Sequence, residues 1–421
     1  MSDPKDQGDV EGARLSLGAL FIAFLKIGCV AFGGFMSLVA VIESVFVERR
    51  KLLRHEEMLD GISLGNLLPG PLAVNVVAYV GFRLRGLPGA VVSAAGVILP
   101  AFVLMVGLTH VYFQYGDVPA LGAVFAGVTP AVAAIIAAVV HRMAKKALVG
   151  RVEWTLALVA AGLLLFAPRE LKLFLTFGVV GGYGLLGQLL FRGHFKDLPS
   201  APLKAHGSPL PLVLTVLALA ALPVLSVLPL DIAEDGLLRL GLTFGGLGVM
   251  LFGGGYVMIP MIQDVVVLQQ SWMTEQQFID GIALGQVTPG PILISATFIG
   301  QHVAGLAGAA VSTFAIFAPP ALLMVTAASA LDRLKGSVGI QAAMRAIRCG
   351  VIGLIFTAAW VILEAAIVAQ GGDAGGLGVT AVIFAASLVA LVRFKVDVLA
   401  VIPAAGALGF LAGAAGLLGA G

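Results

Sequence analysis

The chain has 421 residues, 59% of them hydrophobic and only 11% charged, with a net charge of +2 and two cysteines. A mean hydropathy of +1.05 excludes an ordinary soluble domain, the weak positive charge implies no nucleic-acid face, and Cys29 and Cys349 are too few for a disulfide framework. What remains is an all-α polytopic membrane protein, since a spanning helix needs about 20 apolar residues and the chain offers about a dozen such stretches.

Residues 1–13 are polar and read as a cytoplasmic tail. No small-residue cleavage site follows a short apolar core, so the first membrane segment is expected to be retained. Apolar segments then run over 15–47, 61–82, 87–113, 119–140, 154–167 and 171–191. The first is interrupted by Phe32-Gly33-Gly34 and the second by Pro69-Gly70-Pro71. A polar loop, 192–209, and an apolar segment with no counterpart, 210–230, precede a second run of the same pattern.

The second run repeats the first in register. Phe32-Gly33-Gly34 matches Phe252-Gly253-Gly254, Asp60-Gly61 matches Asp280-Gly281, and LGNLLPGP over 64–71 matches LGQVTPGP over 284–291. After that motif one residue is lost, and Gly81, Gly86, Gly89 and Pro100 match Gly300, Gly305, Gly308 and Pro319. Glycines and prolines in register over so long a stretch indicate one internal duplication. The expected organisation is a tail over 1–13, a first repeat over 14–191, a loop and linker helix over 192–235 and a second repeat over 236–421.

Pro-Gly-Pro cannot continue a helix, because each proline lacks a donor and crowds the preceding turn. A broken backbone at membrane depth survives only inside protein or beside a water-filled cavity. Basic loops surround the first motif: Arg49, Arg50, Lys51 and Arg54 before it, Arg83 and Arg85 after it. By the positive-inside rule both are cytoplasmic. The 22 residues between cannot cross twice at about 1.5 Å per residue, so a re-entrant hairpin of two half-helices is predicted.

Residues 264–280, before the second motif, contain no Lys or Arg, whereas Arg333, Lys335, Arg345 and Arg348 are read as marking the following turn as internal. The two repeats are therefore expected to be inverted, with a cytoplasmic amino terminus and a carboxyl terminus outside. Parity then favours each Phe-Gly-Gly segment bending back or consisting of two short helices, with Gly33, Gly34, Gly253 and Gly254 making the turns; the alternative is a single long tilted helix with some loops departing from the charge rule.

Inverted hairpins would bring helix N-termini together, and these carry about half a positive charge and free amide donors, which suits an anion. The expected substrate-binding residues are Asn66, Pro69, Gly70, Pro71 and Asn75, with Gln286, Pro289, Gly290, Pro291 and Ser295. Each polar side chain could instead serve only to satisfy the broken backbone. Lys26, Glu43 and Glu364 lie in apolar sequence and are candidates for carrying charge, with snorkelling (Lys26) and helix-end placement (the two acids) as the structural alternatives. Asp60 and Asp280 read as helix-start residues near the membrane surface. His110 and His302 are isolated, and no metal or cofactor is expected. No GxxxxGK[ST], HExxH, CxxC or GxSxG motif stands out, which argues against an ATP-driven pump or an enzyme.

These features, an FGG segment, a basic loop, a helix ending in PGP and spaced glycines before a later proline, all present twice, resemble the chromate ion transporter family in its long two-domain form. The second copy fits more closely, with FGGGY over 252–256, Trp272 and PGP over 289–291. In the first, Leu52 holds the tryptophan position and Phe35 follows FGG where proline is expected. The resemblance implies a secondary transporter of the cytoplasmic membrane that exports chromate and confers chromate resistance. A sulfate or other oxyanion carrier or exchanger, and an anion channel, are the alternatives. The expected partners are a chromate- or sulfate-like oxyanion and the lipid bilayer, with a homodimer left open.

Overall fold

Helix α1 (Leu17–Val30) stops two residues before Phe32, and α2 (Phe35–Ile42) starts directly after Gly34 and runs into a π-helical turn over Glu43–Arg49. In the second half α9 (Gly236–Met250) and α10 (Met258–Gln263) flank the other Phe-Gly-Gly, and a π-helical turn again follows, over Asp264–Gln269. The computed structural model describes residues 15–30, 35–115, 119–168, 171–195, 210–227, 236–251, 255, 258–328, 337–370 and 374–418. The predicted turn glycines Gly33, Gly34, Gly253 and Gly254 lie outside the described residues.

The remaining first-repeat helices are α3 (His55–Leu67), α4 (Leu72–Tyr115), α5 (Pro119–Ala147), α6 (Arg151–Phe166) and α7 (Lys172–Leu190). The linker helix is α8 (Leu210–Val227), packed on α9. The second repeat continues with α11 (Glu275–Val287), a 3-10 turn over Ile292–Ile294, α12 (Ser295–Ala328), α13 (Val338–Val368), α14 (Ala374–Val392) and α15 (Val398–Ala414). No strand occurs among the described residues. Helices α4, α5, α12, α13 and α14 are long and apolar enough to cross a membrane.

The duplication extends to the backbone angles. Left-handed residues recur at Lys51 (φ 51°) and Ser271 (φ 49°), and at Gly70 (φ 119°) and Gly290 (φ 114°). Inside α4, Arg85 and Gly86 leave the helix at φ/ψ −144°/21° and 65°/−156°. Inside α12, Ala304 and Gly305 repeat this at −143°/32° and 59°/−151°. A positive φ costs an L-residue about 1–2 kcal/mol, which explains glycine at the tight positions.

Each of these breaks reverses the chain. Glu57 pairs with Arg83, a Cβ on Gly61 would lie 2.5 Å from Tyr79 Cδ1, and one on Gly65 would lie 2.6 Å from Leu72 Cδ1. Those contacts step down α3 while stepping up α4, so the two form an antiparallel hairpin tipped by Pro-Gly-Pro, as predicted. Thirteen residues in α3 rise only about 20 Å, short of a hydrocarbon core of about 30 Å, so this arm does not span. At the second break, Cβ atoms on Gly81 and Gly89 would each collide with the other's carbonyl oxygen, and the pair Gly300 and Gly308 behaves identically. Only glycine lets the two arms of α4, or of α12, approach so closely.

The packing of each half on itself is also duplicated. Helix α1 lies against the long arm of α4, where a Cβ on Gly28 would sit 2.6 Å from Val97 O; α9 lies against α12, with Gly248 and Ile316 O at 2.5 Å. Two sequence readings are corrected here. Arg345 and Arg348 lie within α13 rather than in the turn before it, because the helix starts at Val338 behind the Ser337 cap. Asp60 and Asp280 are not helix-start residues: α3 starts behind Arg54, whose N–H donates to Glu57 Oε2, and α11 starts behind Thr274, which forms a capping box with Gln277. Glu364, one of the charge candidates, is exposed on the surface of α13.

Candidate functional site

The two Pro-Gly-Pro tips meet the opposite repeat at equivalent points. A Cβ on Gly70 would collide with Pro320 Cβ of α12, and one on Gly290 would lie 3.1 Å from Ala101 Cβ of α4. Positions 101 and 320 are counterparts at the offset of 219, so the contact is reciprocal, as about a two-fold axis between repeats. The Gly70 N–H also donates to Leu251 O at 2.6 Å, next to the second Phe-Gly-Gly. Each tip is thus enclosed by protein, as a broken backbone at membrane depth requires.

Behind the tips, the residues four past each second proline are both buried. Asn75 is 0% exposed; its amide Nδ2 donates to Pro69 O at 3.1 Å and its N–H to Pro71 O, while Oδ1 has no partner among the described residues. Ser295 is 1% exposed and its Oγ likewise has none among them. Asn75 therefore does staple the break, but neither side chain is fully used by it. Pro71, Pro289 and Pro291 are buried, and Pro69 and Gly290 are half-buried.

The equivalence breaks down on the arms before the tips. Gln286 is buried, with Thr288 beside it donating to Gly285 O. Asn66 is exposed, turns its amide back to Ile62 O, and opens onto a cleft of about 560 Å³ lined by Ser63, Asn66, Leu67, Gln341 and Arg348. So the first hairpin faces an opening between α3 and α13, and the second packs against α5 and α15.

Arg348 is the residue that sequence reasoning assigned elsewhere. Among the described residues its one hydrogen bond runs from Nη2 to Asn66 O at 3.4 Å, and no carboxylate pairs with it. Arg345, one turn earlier, is neutralised: Nε and Nη2 bind Glu153 Oε1 at 3.1 and 2.6 Å, and the guanidinium lies 4.8 Å over the Phe191 ring. A signal was present in the sequence, since no acid stands between Asp332 and Glu364 to pair with either arginine locally.

Lys26 is exposed on α1. Glu43 sits in the first π-helical turn with His55 Nδ1 2.6 Å from Oε1. Asp280, by contrast, is 4% exposed on α11, where Tyr112 Oη donates to Oδ2 at 2.7 Å and Gln276 Nε2 to Oδ1 at 2.9 Å. Burial pushes its carboxyl up to about 6, against the lowering effect of those two hydrogen bonds. Among the described residues no three His, Cys, Asp or Glu are grouped to hold a metal.

Comparison with known proteins covers nearly the whole chain. The family described as Chromate transporter matches residues 18–187 and 238–410, one stretch per repeat. A chromate transport protein of Pseudomonas aeruginosa is 32% identical over 407 residues, 94% of this chain and 92% of its own length. That of Cupriavidus metallidurans is 29% identical over 356 residues, 84% of each chain. A probable chromate transport protein of Synechococcus elongatus is 32% identical over 312 residues, 74% of this chain and 75% of its own. No solved structure matches.

Proposed function

Because the chain belongs to the chromate transporter family, we propose that it is a secondary carrier of tetrahedral oxyanions that moves chromate outward across the cytoplasmic membrane and so confers chromate resistance. The observation that carries this reading is the crossing of the two Pro-Gly-Pro tips, each seated on the other repeat at an equivalent position. A pair of broken hairpins meeting across a pseudo-two-fold axis is how repeat-built carriers frame a central site.

The charge pattern supports an inverted arrangement, with the first hairpin open to the cytoplasm, the second to the outside, the amino terminus inside and the carboxyl terminus outside. The difference between an open Asn66 side and a packed Gln286 side then corresponds to a cytoplasm-facing state. Exchanging the roles of the two hairpins gives the outward-facing state. That one side is open while its counterpart is packed favours a carrier over a channel. A dianion leaving a negative interior is driven by about 2.3 kcal/mol per charge per 100 mV, so outward movement needs no other coupling.

Radiolabelled chromate uptake into inverted membrane vesicles under an imposed potential, with and without excess sulfate, tests the proposal. Saturable uptake, stimulated by anion on the far side and lost when both Pro-Gly-Pro motifs become Ala-Ala-Ala, is expected. Sulfate flux without chromate flux would remove the named cargo, and flux of neither would remove the oxyanion reading.

A further inference from the structure

We infer that the cleft between α3 and α13 is the cytoplasmic oxyanion-binding vestibule, with Arg348 as its anion-contacting cation and Ser63, Asn66 and Gln341 as polar lining. This deepens the carrier reading and rests on it for the direction of entrance.

Placement comes first. Arg348 stands roughly 15 Å along α13 from Val338 at 1.5 Å rise per residue, within a helix long and apolar enough to span a membrane. A guanidinium on such a helix is costly unless it meets an anion, a carbonyl or water. Arg345 solves the problem with Glu153. Arg348, which lines the cleft, has only a long contact to Asn66 O among the described residues, which leaves most of its five N–H donors free for a ligand. Its counterpart in the first repeat at the same offset is Thr129, buried and bonded to its own helix at Phe125 O, so the duplication alone does not require a cation here.

Geometry then selects the ligand. Gln341 and Arg348 lie seven residues apart on one face of α13, about 10 Å along the axis. Ser63, Asn66 and Leu67 line the opposite wall on the last turns of α3, directly before the Pro69-Gly70-Pro71 tip. An ion entering from the side where α3 and α13 both begin therefore passes Gln341 and reaches Arg348 beside the tip. The planar fork of arginine grips two oxygens of a tetrahedral oxyanion at once, which lysine cannot do. The simpler role for Arg348, holding the C-terminal carbonyls of α3, uses one donor at 3.4 Å and calls for no cleft.

The test is oxyanion binding and transport by the full chain in lipid, comparing the wild type with Arg348→Gln and Arg348→Lys. Anion binding is read as the rise in thermal midpoint with sulfate, chromate, molybdate or phosphate added singly. Arg348→Gln is expected to lose that rise and to increase the KM for chromate uptake at least tenfold, with an unchanged midpoint in the absence of anion. Arg348→Lys is expected to fall between the two. A midpoint lowered without any change in KM or in anion protection would make Arg348 a helix-capping residue and overturn the inference, while chromate flux in the wild type would leave the carrier reading intact. If no anion in the panel stabilises the wild type, the vestibule is refuted directly. Protection by sulfate but not by chromate keeps the vestibule and removes the named cargo.

Discussion

Tyr112, near the end of α4 in the first repeat, donates its hydroxyl hydrogen to the Asp280 carboxylate in the second repeat's hairpin at 2.7 Å, across 168 residues of sequence. The matching hairpin in the first repeat is charged at its base, with Glu57 paired to Arg83 and Asp60 only half-buried. In the second repeat Gln277 and His302 replace that pair, and Asp280 is left buried against an aromatic group of Tyr112, Phe113, Phe125 and Phe298. The inter-repeat contact therefore rests on an acid without a cation among the described residues.

Stability should consequently depend on pH through Asp280. Its folded-state value of about 6 lies above the ordinary 3.8, so the native protein keeps a proton that the unfolded chain has lost. The stabilisation is complete below about pH 4, falls as pH rises and is gone above about pH 6, a difference of about 2–3 kcal/mol. Thermal midpoints measured from acid to neutral pH should show this fall in the wild type and lose it in Asp280→Asn. A parallel fall in the variant would show that the acid is not the titrating group.

The two kinds of left-handed glycine should respond differently to alanine. Gly86 and Gly305 have open space where a Cβ would go, so alanine adds only backbone strain, about 1–2 kcal/mol. At Gly70 the added carbon also meets Pro320 and the Asn75 amide, and the cost should exceed about 3 kcal/mol, with transport abolished. Equal midpoints for Gly70→Ala and Gly86→Ala would contradict the crossing at the tip.

Alanine at Gly81, Gly89, Gly300 or Gly308 should force apart the arms of α4 or α12, because the obstructing atoms are backbone carbonyls that have no side-chain freedom. Monodisperse yield in detergent, scored for each of the four, should fall together. A normal yield for one member of a pair would show that its arms can separate without unfolding.

Removing Glu153 should cost about 3 kcal/mol, since it leaves Arg345 half-buried and unpaired, whereas replacing both with methionine should recover most of the loss. A double-mutant cycle on thermal midpoints measures the coupling. Arg348→Met, lacking such a partner, should show no comparable coupling with Glu153.

The amino-acid sequence by itself determined the membrane class, the duplication and the hairpin at each Pro-Gly-Pro. Proline and glycine act locally: a missing donor or a missing Cβ restricts the backbone whatever surrounds it, so their register could be read before any packing was known. Tertiary structure alone decided which side of the crossing is open, that Asp280 lies under Tyr112, and that Arg345 is paired while Arg348 faces a cleft. Those outcomes depend on partners more than a hundred residues away. Two arginines three positions apart on one helix carry the same local signal, and only the carboxylate brought in from α6 tells them apart.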